Sequence, residues 1–168
     1  MWASLETSSL AQWIHASTWP YPTLLSIHGL GMGVVVGLTA VVALRVLGFP
    51  KDIPLGAYMQ TLPYLVVAFV LNAASGIALF VADASSLASN VSFQIKLAAI
   101  AVGLVVVWRL YAGTVAPAAR AEADPRSALL PRFPPARSAR VLAVLSLLIW
   151  SVSVIVSGRL IAYLNPAL

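Results

Sequence analysis

Apolar residues run through this chain in four long blocks, at about residues 23–47, 63–82, 91–112 and 141–164, separated by polar or proline-rich breaks. A helix needs about 20 apolar residues to cross the hydrocarbon core of a bilayer, so each block predicts a transmembrane helix. Trp19-Pro20-Tyr21-Pro22 predicts that no helix runs into the first block from its N-terminal side, and Gly48, Pro50 and Pro54 end that block. Pro63 suits the first turn of the second span, where its missing N–H costs nothing. Residues 83–90 read as a short polar turn. Residues 115–138 hold five prolines and several arginines, which predicts an irregular basic loop over about 113–140. Ahead of the spans, over about 4–18, Leu5, Leu10, Trp13 and Ile14 are spaced for one helical face, with Glu6, Ser9 and Gln12 elsewhere. That segment predicts a short helix lying in the membrane interface. The fold expected is all-α: a four-helix transmembrane bundle with an N-terminal interfacial helix, forming one domain over 1–168.

Composition strengthens this picture. The chain is 61% hydrophobic and 9% charged, against about 25% charged for a soluble domain, so lipid is the expected solvent. There is no cysteine, which removes disulfides, thiolate metal sites and cysteine nucleophiles. The N-terminus lacks a basic region and its first acidic residue is Glu6, so no cleavable signal peptide is expected.

The positions of the charges set the orientation. Arg45 and Lys51 follow the first span, while Arg109, Arg120, Arg126, Arg132, Arg137 and Arg140 flank or fill the loop after the third. Both loops therefore face the cytoplasm, which puts both termini on the periplasmic side of a bacterial inner (cytoplasmic) membrane. Trp13, Trp19, Tyr21 and Tyr163 then fall near the outer interface, and Tyr58, Tyr64, Trp108 and Tyr111 near the inner one. The net charge of +5 is read as a topology signal and a contact for anionic lipid, and not as a nucleic-acid surface.

Depth along the helices brings out a polar layer. At 1.5 Å per residue, His28, Lys96 and Arg159 each lie roughly 8–9 Å inside the outer ends of their spans. Ser75 falls at roughly 10 Å and Asn72 at about 15 Å. An ionisable residue inside a bilayer costs about 2.5–3.5 kcal/mol at the centre, so a shared site is one reading. The other is that Lys96 and Arg159 snorkel to the headgroups. If they turn inward, the excess positive charge calls for an anionic or acceptor-rich ligand. His28 can ligate haem or metal or hydrogen-bond a quinone, and His15 is the only other histidine. Met32, one turn from His28, makes a His–Met pair for copper conceivable, with core packing the blander reading. Gly29, Gly33 and Gly37 repeat every four residues, which predicts close helix packing along that stripe. Asn72, Ser75 and Gly76 share a face of the second span and are expected to point inward. No soluble-enzyme signature is present, no catalytic residue is assigned, and no span carries an acid of the kind proton-coupled transporters use.

Several short elements also carry a resemblance. Trp19-Pro20-Tyr21-Pro22, Ser26-Ile27-His28-Gly29-Leu30-Gly31, Ala43-Leu44-Arg45-Val46-Leu47-Gly48, Ser92-Phe93-Gln94-Ile95-Lys96-Leu97 and Ser157-Gly158-Arg159-Leu160-Ile161-Ala162-Tyr163 occur in that order. Together they resemble an uncharacterised family of small four-helix bacterial inner-membrane proteins, and more distantly the membrane domain of copper-resistance protein D. Ala43 stands where the family pattern has an acid before Leu-Arg. The resemblance implies the topology and marks His28, Lys96 and Arg159; copper handling is implied only by the distant relatives. Three functions are expected from these readings. The first is a small redox-associated subunit, not an enzyme by itself, binding b-type haem or quinone through His28, His15, Lys96, Arg159, Asn72 and Ser75. It would pass electrons between a periplasmic protein partner and the quinone pool. The second is a non-catalytic scaffold subunit of a larger membrane complex. The third is copper transport or sensing through His28, His15 and Met32.

Overall fold

A computed structural model describes residues 2–124, 126 and 135–164; the side chains of Ser153, Ser157, Arg159, Ala162 and Leu164 lie outside that description. The described residues contain helices and no strand. Two short helices, α1 (Ala3–Glu6) and α2 (Ser9–Ala16), precede the long α3 (Pro20–Leu47). A 3-10 segment, Leu55–Thr61, leads into α4 (Leu62–Ala82), followed by α5 (Ala84–Ser89) and α6 (Val91–Leu110). A π-helical turn, Tyr111–Val115, joins α6 to α7 (Ala116–Ala123). The last helical run is α8 (Arg137–Leu147), a second π-helical stretch Leu148–Val154, and α9 (Ile155–Leu164). Three stretches, Pro20–Leu47, Leu55–Ala82 and Val91–Ala123, are long and apolar enough to cross a membrane. Their outward faces carry large apolar residues, including Leu30 at 73% exposed, Ile77 at 65% and Val105 at 57%. Water would not tolerate so much apolar surface in one patch; the acyl chains of a bilayer would. The chain is a multi-pass membrane protein.

Several boundaries differ from the sequence expectation, each for a local reason. The prolines before the first span do not exclude the helix; Pro20 and Pro22 sit in the first turn of α3. N–H groups there have no intrahelical acceptor to lose, and the Thr23 N–H already reaches Trp19 O at 3.1 Å. The expected stop at Gly48 holds. Gly48 has φ of +109°, and the Phe49 N–H turns back to Leu44 O at 2.9 Å. The polar turn at 83–90 is mostly helix, α5, whose Ser85 N–H is capped by the Glu6 carboxylate at 2.7 Å. The helix after the third span also does not stop at 112. It widens into the π turn and continues as α7, with Pro117 again in a first turn. Arg132 and most of the remaining loop lie outside the described residues.

The N-terminal segment is two helices, not one. Ser8 caps α2 by accepting from the Ala11 N–H at 3.3 Å. α2 buries Ala11 and Ile14 against α4 and leaves Leu10 and Trp13 exposed, so its buried face is offset from the one expected. Trp2 packs edge-on to Phe80, which stacks on Phe93, tying α1 to α4 and α6.

The core lies among α3, α4, α6 and the last helical run, and includes Val42, Ala43, Val46, Leu65, Leu110, Val115, Ala143 and Val154. Ala43 is fully buried there, so an acid at that position would bring an uncompensated charge into an apolar core. Of the aromatic residues expected near the inner interface, Tyr58 and Tyr111 are buried inside the protein, whereas Tyr64 and Trp108 are exposed.

Candidate functional site

α3 and α4 pack along one another more extensively than any other pair, and the sequence stripe of glycines is not what brings them together. Gly29, Gly33 and Gly37 are exposed, with nothing within 4 Å of where a Cβ would stand. That face is open in the chain, so the expectation of helix packing along the stripe does not hold within it. The close approach is at Gly31, whose Cβ would meet Asn72 Cβ at 3.0 Å and Ala68 O at 3.2 Å. The i, i+4 stripe picks out one face of a helix, and only the packing decides which face is inside.

One turn before Gly31, the same contact holds His28. Its Nδ1 lies 2.9 Å from the Asn72 carbonyl oxygen. A carbonyl can only accept, so Nδ1 carries the proton and Nε2 of the neutral ring holds the lone pair. Asn72 Nδ2 donates back to His28 O at 2.6 Å. Ser75, buried on the next turn of α4, has Oγ within 2.8 Å of Leu71 O, 3.0 Å of Asn72 O and 3.3 Å of His28 Nδ1. Gly76 makes room for the ring: a Cβ there would stand 2.9 Å from His28 Cε1. The inward face of Asn72, Ser75 and Gly76 is thus the seat of one imidazole. The Asn72 carbonyl fixes its tautomer, and Ser75 Oγ and the space at Gly76 help to set its orientation.

Lys96 reaches the same level from α6. Its Nζ comes within 4.0 Å of the Cβ position of Gly158 on α9. The side chain is half-buried and turned toward α9; among the described residues it has no carboxylate partner. Arg159 follows Gly158 on α9, and its side chain lies outside the described residues.

His15 and His28 are not brought together. His15 Nε2 is within 3.1 Å of Ala82 O, six residues beyond Gly76 on α4, or about 9 Å further along that helix. Met32 packs against the core. Among the described residues no three histidine or acidic side chains form a metal-holding group. Close to His15, partial burial holds the Asp83 carboxyl above the usual range; the nearby Glu6 carboxylate adds to this and His15 works against it.

A second feature escapes sequence reasoning. An apolar cavity of about 370 Å³ lies toward the basic-loop end, walled in part by Phe69, Trp108, Tyr111 and Trp150. Trp150 is 4% exposed, and among the described residues its indole N–H has no acceptor; Ser146 Oγ, one turn earlier, is also buried without a partner among them. Leaving such a group unpaired costs about 1–3 kcal/mol. Tyr111 and Thr61 share a hydroxyl–hydroxyl bond of 2.7 Å. Gly103 lets the indole lie against α6, since a Cβ there would stand 2.9 Å from Trp150 Cε2. The signal that could have found this site is a tryptophan in mid-span, because membrane tryptophans favour the interfaces.

No protein-family profile, curated protein or solved structure matches the chain.

Proposed function

We propose that this protein is a small redox-associated membrane subunit that holds a b-type haem or a quinone head group between His28 and Lys96. One observation carries the reading. The Asn72 carbonyl ties up Nδ1, which leaves the His28 Nε2 lone pair available beside an amine with no carboxylate of its own among the described residues. Imidazoles that ligate metals are oriented in this way through their other nitrogen. The same lone pair accepts a proton from a quinol hydroxyl.

The donor set fits either group through a single imidazole. Of the three candidate ligands, His28 alone would hold a haem, since His15 is bonded to Ala82 O and Met32 packs in the core. Bound haem supplies one-electron chemistry. Lys96 offers charge to a propionate or a quinone carbonyl, and Asn72 and Ser75 keep the imidazole in place. The proposed setting is a four-helix bundle in a bacterial inner membrane, with both termini and the His28 layer on the periplasmic side. The run from Arg137 to Leu164 is its fourth span. The basic loops support that placement, as does the resemblance of the short motifs to those of small four-helix membrane proteins. Electrons then pass between a periplasmic protein and the quinone pool.

The test is an absorption spectrum of detergent-purified protein, oxidised and dithionite-reduced, with extraction of bound quinone. Haem or quinone present in wild type and lost in His28→Ala is the expected result. Cofactor content unchanged in that variant, or neither group present after expression with ample haem, overturns the reading. The open face at Gly29, Gly33 and Gly37 favours a second reading, a scaffold subunit whose stripe docks a neighbouring helix. A stoichiometric partner that co-purifies without chromophore and is lost in Gly33→Leu is its mark.

A further inference from the structure

α4 and α6 are joined only by the short α5, yet they have little direct contact. At one end Phe80 stacks on Phe93, with ring centroids 5.5 Å apart, and ties the two helices. At the other end the tie is the Thr61–Tyr111 hydroxyl bond of 2.7 Å and the packing of the 3-10 segment on α7. Between the ties lies the apolar cavity of about 370 Å³, with the buried Val35, Thr39 and Trp150 at its back. Val66, Leu104 and Trp108 line it and are exposed on the outer surface, so the cavity is a window open sideways to the acyl chains. Its polar wall groups are engaged or shut in. Thr39 Oγ1 donates to Val35 O at 2.8 Å, the Tyr111 hydroxyl is bonded to Thr61, and the Trp150 indole nitrogen is fully buried. A buried water needs about two to four polar partners, which these walls do not present, so hydrocarbon is the filling that suits them. Left empty, the gap would forfeit dispersion contacts that a chain from the bilayer supplies.

The rim adds a charge. The guanidinium carbon of Arg109 stands 5.9 Å from the ring centroid of Trp108, and among the described residues no carboxylate pairs with it. Arg109 lies 18 residues beyond Val91, roughly 27 Å along α6, where a hydrocarbon core about 30 Å thick gives way to phosphates. Phe69, seven residues beyond Leu62 on α4, carries the cavity about 10 Å inward from that end. A cation at phosphate level beside an apolar slot that runs inward has the outline of a phospholipid. We propose that this window holds one acyl chain of an anionic phospholipid whose phosphate is bound by Arg109. A guanidinium meets a phosphate through two parallel N–H groups. A headgroup with net negative charge is selected because the ammonium of a zwitterionic one would bring a like charge toward the arginine. The site is separate from His28 and stands whether or not His28 holds a ligand.

The experiment is native mass spectrometry of the detergent-purified full chain, with dioleoyl phosphatidylglycerol and dioleoyl phosphatidylcholine titrated separately. Wild type retains one phosphatidylglycerol in a saturable adduct and binds phosphatidylcholine about tenfold more weakly. Arg109→Gln lowers the affinity for phosphatidylglycerol about tenfold, the effect of one lost charge-assisted hydrogen bond, and removes the preference between the two lipids. Arg126→Gln, at an exposed arginine off the cavity walls, changes neither affinity. Ala112→Trp, at an exposed wall position, fills the window and abolishes the adduct with the melting temperature retained. Val66→Trp does the same from the α4 side, so the result does not hang on one variant. No saturable adduct in wild type overturns the proposal, as does equal affinity for the two lipids. So does an unchanged preference in Arg109→Gln, an equal loss in Arg126→Gln, or an adduct that survives both tryptophan variants.

Discussion

Replacing Gly31 by alanine tests the α3–α4 interface where it is tightest. The new Cβ would stand 3.0 Å from Asn72 Cβ, 3.2 Å from Ala68 O and 3.3 Å from Asn72 Cα. Comfortable carbon contacts need about 3.5–4.0 Å. None of these three atoms can swing away on a side-chain torsion, so the helices must separate by roughly 0.5 Å. Overpacking of that kind costs about 1–3 kcal/mol. The separation also stretches the reciprocal bonds between His28 and Asn72, 2.9 and 2.6 Å long, which lie one turn away. For a chain of this size each kcal/mol lowers the melting temperature by about 2–4 °C, so Gly31→Ala loses roughly 2–12 °C in detergent. Gly33→Ala, with open space at its Cβ position, serves as the control and stays within a degree or two of wild type or rises, since alanine is the better helix former. Circular dichroism melts of the two variants in one detergent decide the matter. A stable Gly31→Ala beside a destabilised Gly33→Ala would show that α3 packs through its glycine stripe, and the geometry described for His28 would fall with it.

Three further outcomes follow from other contacts. Gly56→Ala drives a Cβ to 2.5 Å from Ala119 Cα and from the Glu122 carboxylate that accepts the Gly56 N–H, so it costs at least about 2 kcal/mol; limited proteolysis near residues 55–61 should accelerate, and an unchanged cleavage rate counts against the packing of α7 on that turn. Tyr111→Phe removes the bond to Thr61 and lowers stability by about 1 kcal/mol in the same melts; no change would mean the pair is not formed. Asp83→Asn addresses pH. An acid whose pKa is raised in the folded state favours the fold when protonated and costs stability once pH climbs through the raised value, so the substitution raises the melting temperature at neutral pH and the gain fades below about pH 4. A gain that grows on acidification would reverse the sign assigned to its burial.

Much of the molecule was legible from its residues because the bilayer imposes simple demands. Twenty-odd apolar residues must be helical where no water can satisfy the backbone, so the long helices are read directly from Pro20–Leu47, the 62–82 segment and the helix from Val91. The similar depth of His28, Lys96 and Arg159, with Ser75 close by and Asn72 deeper, was visible by counting rise per residue alone. Local termination at Gly48 was equally plain, because only glycine takes a φ of +109° there without strain.

What the residues could not decide is rotation. In a soluble protein the polar face tells each helix which way to turn, but here lipid and core are both apolar and that cue disappears. Gly29, Gly33 and Gly37 therefore looked like the packed face, while the structure turns them outward and packs α3 through Gly31. For the same reason only the tertiary structure shows Nδ1 of His28 bound to a carbonyl, Lys96 turned toward α9, and His15 held apart at Ala82. The cavity around Trp150 arises from two π turns on different helices, a property of how the helices meet and not of any one segment. Sequence alone determines that the helices form and how deep each residue lies, since those depend on local hydrophobicity and a fixed rise. Which faces meet, and so which polar groups find partners, is settled only by packing among the helices.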